Sequence, residues 1–218
     1  MTLDQHQKDL LVGTLLGDGN LQTETKGRTW RYRALQKLEH KEYLLHKYDI
    51  MKPFCTTPPS YSEIFDTRTK KTYKRLYFNT TVSNEFKHYG NLFYKFDTKS
   101  HKMIKDVPNT IELFLTPRAI AYWYMDDGSL KEVGRGNAMR ICTESFSLDG
   151  VNRLKNALET LYGIKHTSLN VKKNSQKITI GYRLIILEKS ALTFRDLIKP
   201  YLVDCMKYKV SDGNKGHL

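Results

Sequence analysis

LLVGTLLGDG at residues 10–19 and AIAYWYMDDG at residues 119–128 are two versions of one pattern, an apolar run that ends in an acidic residue followed by glycine. Each reads as a helix with a glycine stop. The second also has start chemistry, with Thr116 as N-cap and Pro117 at the first helical position. Asp4 can cap the first. Asp18 and Asp127 lie 109 residues apart, half of the 218-residue chain. The spacing predicts a duplicated unit of about 100 residues.

The segments after each run match in kind. Residues 20–37 and 129–146 read as hairpins, broken at Lys26-Gly27 and at Gly134-Arg135-Gly136. Helical patterns follow over Glu39–Met51 and Leu148–Tyr162, the latter capped by Ser147 and stopped by Gly163. Second hairpins span 60–80, turning near Lys70-Lys71, and 167–186, turning at Asn174-Ser175. Helices over Ser83–Phe96 and Lys189–Ile198 close the two units. The order αββαββα, twice, predicts an α+β chain of two pseudo-symmetric halves with antiparallel sheets. The expected bounds are 1–97 and 116–210 for the halves, 98–115 for a basic linker, and 211–218 for a flexible tail.

Thirty-six Lys and Arg against 23 Asp and Glu leave a net charge of +13. That excess favours a polyanion, because each Lys or Arg on a phosphate releases a condensed counterion. Charge alone fits ribosomal RNA or an anionic membrane surface equally well. The three cysteines, Cys55, Cys142 and Cys205, form no CxxC pair and no zinc-spaced cluster, and the seven histidines form no metal-spaced pair. Reduced thiols in a reducing compartment are expected. No stretch approaches the roughly 20 apolar residues of a membrane span, so a soluble chain is expected.

The hairpins carry the basic residues next to aromatics, and a two-stranded ribbon fits the DNA major groove. Arg28, Arg31 and Arg33 are read in one strand, while Lys70, Lys71, Lys74 and Arg75 surround one turn. In the second half Arg135, Arg140, Lys172, Lys173, Lys177 and Arg183 hold comparable places. All are candidate DNA contacts. An exposed basic face that only keeps a sheet solvated is the competing reading for any one of them.

A carboxylate at a helix C-terminus meets an already negative macrodipole. Here the cost occurs twice, and Asp126 adds a charge beside Asp127. A repeated cost of this kind points to a cation, and hard divalent ions take carboxylate oxygens. Gly13 and Gly17 are four apart and share a helix face, which lets another helix approach closely. The matching positions of the second helix hold Tyr122 and Asp126, so the interface is expected to be asymmetric.

Leu11–Gly19 and Ile120–Gly128 resemble the two signature helices of single-chain LAGLIDADG homing endonucleases. The resemblance spans nearly the whole chain. It implies a monomer whose two half-sheets form a saddle over double-stranded DNA. It also implies metal-dependent cleavage of each strand of a long asymmetric target, leaving short 3′ overhangs. By the same resemblance Asp18 and Asp127 bind the metal, helped by the Gly17 and Asp126 backbone. Mg²⁺ is the implied ion, with Mn²⁺ as a substitute. Lys105 and Lys209 correspond to basic residues near the scissile phosphates, and Gln36 to a polar residue that orders water. The place comparable to Gln36 in the second half is Thr143-Glu144. Asp126 is left as a supporting residue. The resemblance leaves the encoding genome open among organelles, archaea and phages, with a chloroplast or mitochondrion as one setting it fits.

Tyr124-Met-Asp-Asp127 is also a reverse-transcriptase tetrapeptide, but there it sits on a hairpin, whereas here it ends a capped helix. GxxxxGK[ST], GxSxG and GxGxxG are absent. Within the resembled fold, the alternatives are a maturase acting on intron RNA and a DNA-binding protein that does not cut.

Overall fold

The computed structural model describes residues 2–134 and 136–211. Arg135 and residues 212–218 of the expected tail lie outside the described residues. The chain begins with α1 (Gln5–Leu16). Asp4 accepts from the Gln7 amide while the Gln7 side chain returns to the Asp4 amide, a reciprocal cap. Then come β1 (Asn20–Gln22), β2 (Arg31–Lys37), α2 (Lys41–Met51), β3 (Ser60–Asp66), β4 (Lys71–Asn79) and α3 (Asn84–Phe93). The second half repeats the order: α4 (Pro117–Asp127), β7 (Gly128–Leu130), β8 (Met139–Cys142), α5 (Leu148–Tyr162), β9 (Thr167–Lys173), β10 (Thr179–Ile186) and α6 (Glu188–Ile198). Between them lie β5 (Tyr94–Asp97) and β6 (Lys102–Lys105).

The duplication shows in the sheets. One has strand order β1-β2-β4-β3 and the other β7-β8-β10-β9, both antiparallel throughout. The α+β reading of two like halves holds. Thr116 caps α4 by accepting from the Ala119 amide, and Ser147 caps α5 by accepting from the Gly150 amide. Two details differ from the sequence reading. The helix expected over 83–96 stops at Phe93, because the next residues enter β5. The span expected as a linker holds β6, which pairs with β5 in the register Tyr94↔Lys105 to Asp97↔Lys102.

α1 and α4 pack on each other at the centre of the molecule. A Cβ on Gly13 would lie 2.3 Å from the Ala119 carbonyl oxygen, and one on Gly17 would lie 2.5 Å from the Asp126 Cβ. The glycines therefore set the helix separation, as the asymmetric interface required. Burial follows: every residue from Leu10 to Leu16 and from Ala119 to Met125 is buried. One apolar cluster takes in both halves, with Trp30, Tyr32 and Phe78 on one side and Trp123, Ile141 and Phe194 on the other. Among the described residues no helix is long and apolar enough to cross a membrane.

Candidate active site

Because α1 and α4 are packed side by side, the turns that leave them bring Asp18, Asp126 and Asp127 together. Asp18 Oδ2 accepts from Gln36 Nε2 at 3.0 Å, and the Asp18 amide donates to Asp126 Oδ2 at 3.1 Å. Gln36 can do this because β2 alternates: Tyr32, Ala34 and Gln36 face inward while Arg31, Arg33 and Leu35 face outward. Burial, then the charges of Asp18 and Asp126, push the Asp127 carboxyl up to about 7, against the pull of Lys105 and Lys209. Burial likewise raises the Asp126 carboxyl, and the Lys47 ammonium offsets part of that rise.

The lysines are arranged in parallel. Lys105, at the end of β6, donates to the Gly17 and Gly19 carbonyls, both at 3.2 Å. Lys209, in a 3₁₀ turn over Asp204–Lys209, donates to the Met125 and Asp126 carbonyls at 2.5 and 3.0 Å. Each ammonium closes off the end of one signature helix, where the macrodipole is negative. Burial lowers both lysine pKa values, and the three carboxylates offset part of the fall.

The donor set suits a hard divalent cation. It offers the carboxylates of Asp18 and Asp127 and the carbonyls of Gly17 and Asp126, all oxygen. Mg²⁺ binds proteins through one or two carboxylates and keeps water or phosphate for the rest. Among the described residues no group of three or more His, Cys, Asp or Glu is placed to hold a metal ion, so the set is limited to two carboxylates and backbone carbonyls. The Gly17 and Asp126 carbonyls are each engaged by a lysine, but a carbonyl oxygen has a second lone pair.

The halves diverge beside this core. Thr143 Oγ1 donates to the Tyr182 carbonyl at 2.6 Å, and Arg183 Nε donates to Glu144 at 2.8 Å. Neither residue takes the place that Gln36 holds beside Asp18. Lys47 was missed by sequence reasoning. Its Nζ lies 2.6 Å from Asp126 Oδ1, and it stands 4.0 Å from the Tyr43 ring centroid. The signal was present: Lys47 occupies the apolar stripe Tyr43, Leu44, Lys47, Met51 of α2. His6 and His46, far apart in sequence, both meet the Tyr122 hydroxyl, at 2.9 and 2.8 Å.

The basic strand residues separate by face. Arg31, Arg33, Lys71 and Arg75 lie on one face of the first sheet, with the Arg33 guanidinium 4.6 Å from the Tyr77 ring centroid. A cleft of about 620 Å³ joins Asp18, Gln36 and Lys209 to Lys37, Tyr73 and Arg75 on that face. Lys74 corrects the grouping around the Lys70-Lys71 turn: alternation sends it to the opposite face, where its Nζ is 3.9 Å from Glu63. Arg28 is also outside the strand in which it was read, since β2 begins at Arg31. Lys70 and Lys177 sit in turns with positive φ. Arg31 is tied to Glu24 at 3.4 Å. In the second sheet Arg140, Arg183 and Lys172 share a face, Lys173 points to the other, and Arg183 is held by Glu144 rather than standing free.

A family model described as the LAGLIDADG DNA endonuclease family matches residues 8–194. DNA endonuclease I-ChuI of Chlamydomonas applanata is 56% identical over 220 residues, covering 100% of both chains. Cytochrome b mRNA maturase bI2 of Debaryomyces hansenii is 30% identical over 212 residues, 96% of this chain and 75% of that one. Among solved structures, the homing endonuclease I-WcaI bound to its DNA recognition sequence matches with a TM-score of 0.82 at 23% identity, over 97% of this chain and 88% of that one. I-DmoI in complex with DNA and Mn matches with a TM-score of 0.53 at 16% identity, over 89% and 96%. At those identities the two structures speak to the fold.

Proposed function

The chain belongs to the LAGLIDADG DNA endonuclease family, and we propose on that premise that it is a site-specific double-strand DNA endonuclease acting as a monomer. The observation that carries this reading is the paired centre. Two carboxylates, Asp18 and Asp127, leave two packed helices, each with a lysine at its side, and Asp18 and Lys209 open into a cleft continuous with a basic sheet face. The full-length identity to a DNA endonuclease supports it.

In this reading residues 1–97 and 116–210 each serve one half of a long asymmetric target, and their outward sheet faces form a saddle on the duplex. Asp18 and Asp127 hold a divalent cation, Mg²⁺ with Mn²⁺ as substitute, together with the Gly17 and Asp126 carbonyls. When bound, such an ion polarises the phosphate and lowers the pKa of water. Gln36 fixes the Asp18 carboxylate and orients water at the first strand. Lys105 and Lys209 supply positive charge where negative charge develops on the phosphoryl group. Arg31, Arg33, Lys71, Arg75, Arg140 and Lys172 contact the duplex from those outward faces. The products carry short 3′ overhangs, and the gene belongs to an organellar genome. A second reading, action on intron RNA as a maturase, is favoured by the 30% identity to maturase bI2.

Selection of cut sites from a random duplex library tests the main reading. Cutting is expected with Mg²⁺ and not with Ca²⁺. Asp18→Asn and Asp127→Asn should each abolish double-strand cleavage with binding retained. If both variants still cut, the site assignment fails. If the parent never cuts but promotes splicing of an intron RNA, the maturase reading replaces it.

A further inference from the structure

We propose that the ribbon of β5 and β6 is a third DNA-contacting arm, which follows the phosphate backbone on the N-terminal side of the active centre. The proposal rests on the DNA-cleaving reading above and adds a contact surface to it.

The ribbon sequence, YKFDTKSHKMIK at 94–105, holds four lysines and one acid. The acid is used internally: Asp97 accepts from the Ser100 amide at 2.9 Å, the Ser100 hydroxyl at 2.5 Å and the Lys99 amide at 3.3 Å. Lys95, Lys99, His101 and Lys102 are exposed. Among the described residues none of these lysines is ion-paired with a carboxylate. A peptide that only connected two halves would need neither pairing nor this charge.

The ribbon is also firmly seated. Tyr94 accepts from the Leu21 amide at 2.9 Å, its ring lies 5.0 Å from that of Trp30, and Met103 packs against the apolar cluster. Its inner end is Lys105, already on the Gly17 and Gly19 carbonyls. From there the strand runs outward. Lys102 lies three strand residues, roughly 10 Å, from Lys105 and on the other face of the ribbon, and Lys99 lies beyond it in the turn, so the exposed ammoniums extend the basic surface outward from the active centre. A cleft of about 660 Å³ separates the ribbon from the first hairpin, with Gln22, Lys26 and Arg31 on one wall and Phe96, His101 and Lys102 on the other. Cations on both walls suit a phosphodiester strand, and Glu24, the acid on the first wall, is paired with Arg31.

The test measures binding of the full chain to its cleavage target without Mg²⁺ as salt is varied, with a hydroxyl-radical footprint. Lys99→Gln with Lys102→Gln should lower the slope of log K against log salt by about 0.9 per lysine. Protection should also be lost at one side of the cut site, with the cut position unchanged. The same change of charge at Lys165 and Lys189, on the helical side, should leave the footprint as it is. An unchanged slope in the ribbon variant overturns the proposal, and so does an equal effect of the two pairs with no local footprint change. Failure of the parent to bind or cut duplex DNA is a separate outcome, and it rejects the reading on which the proposal rests.

Discussion

Lys47 of α2 and Asp126 of α4 form an ion pair between the two halves, Nζ to Oδ1 2.6 Å, with side chains 1% and 0% exposed. The other carboxylate oxygen accepts from the Asp18 amide, so one buried pair ties α2, α4 and the turn after α1 together. Burial raises the Asp126 carboxyl, and the Lys47 ammonium offsets part of that rise.

Removing one partner of such a pair leaves an uncompensated charge in the interior. Lys47→Met should destabilise by about 3–5 kcal/mol. Adding Asp126→Asn, which keeps an acceptor for the Asp18 amide, should recover much of the loss. Urea unfolding of the two variants checks this. Equal stability of single and double variants would show that the charge of Asp126 is not what Lys47 stabilises.

The helix contact sets a second expectation. Gly13→Ala puts a methyl against the Ala119 carbonyl, a backbone atom that cannot rotate away. A cost of about 1–3 kcal/mol is expected from overpacking, although alanine favours helix over glycine. Cleavage should fall more than stability suggests, because α1 and α4 carry the carboxylates. Thermal unfolding and cleavage rate, measured on the same preparation, separate the two effects.

Strand alternation predicts a contrast between neighbours. Arg75 lines the cleft that contains Asp18, while Lys74 lies on the other face near Glu63. Arg75→Ala should weaken target binding and reduce its salt slope by about 0.9, whereas Lys74→Ala should leave both nearly unchanged. Titration of labelled duplex at several salt concentrations measures this, and equal losses would count against the assigned face.

The Asp127 carboxyl gives a pH dependence. Its folded value of about 7 lies above the ordinary aspartate value of 3.8. The folded state therefore holds a proton that the unfolded state has lost, and this contribution is full below the unfolded value and disappears as pH rises through about 7. Without metal, Asp127→Asn should match the parent in melting temperature near pH 4 and exceed it increasingly toward pH 7. Ca²⁺, which requires the deprotonated carboxylate, should bind the parent more tightly as pH rises over the same window. Calorimetric melting and titration read both, and a constant melting difference across pH would refute the shift.

The sequence by itself determined the architecture and the identity of the central residues. Two apolar runs ending in Asp-Gly, helix caps at Asp4, Thr116 and Ser147, and alternating hairpins are local signals, and local signals fix local structure. They gave αββαββα twice and picked out Asp18 and Asp127; the family resemblance added Gln36, Lys105 and Lys209, and the fold gathers all five at the ends of α1 and α4. What only the tertiary structure decided is partnership across long separations. Lys47 meets Asp126 over 79 residues, and Arg183 is taken by Glu144 over 39. The ribbon over 94–105 read as a helix end followed by a linker because its strands are short and its apolar face depends on Trp30 and Leu21 from another segment. A residue's pattern tells which way it can face; which charge it meets there depends on how distant elements pack, and no local signal carries that.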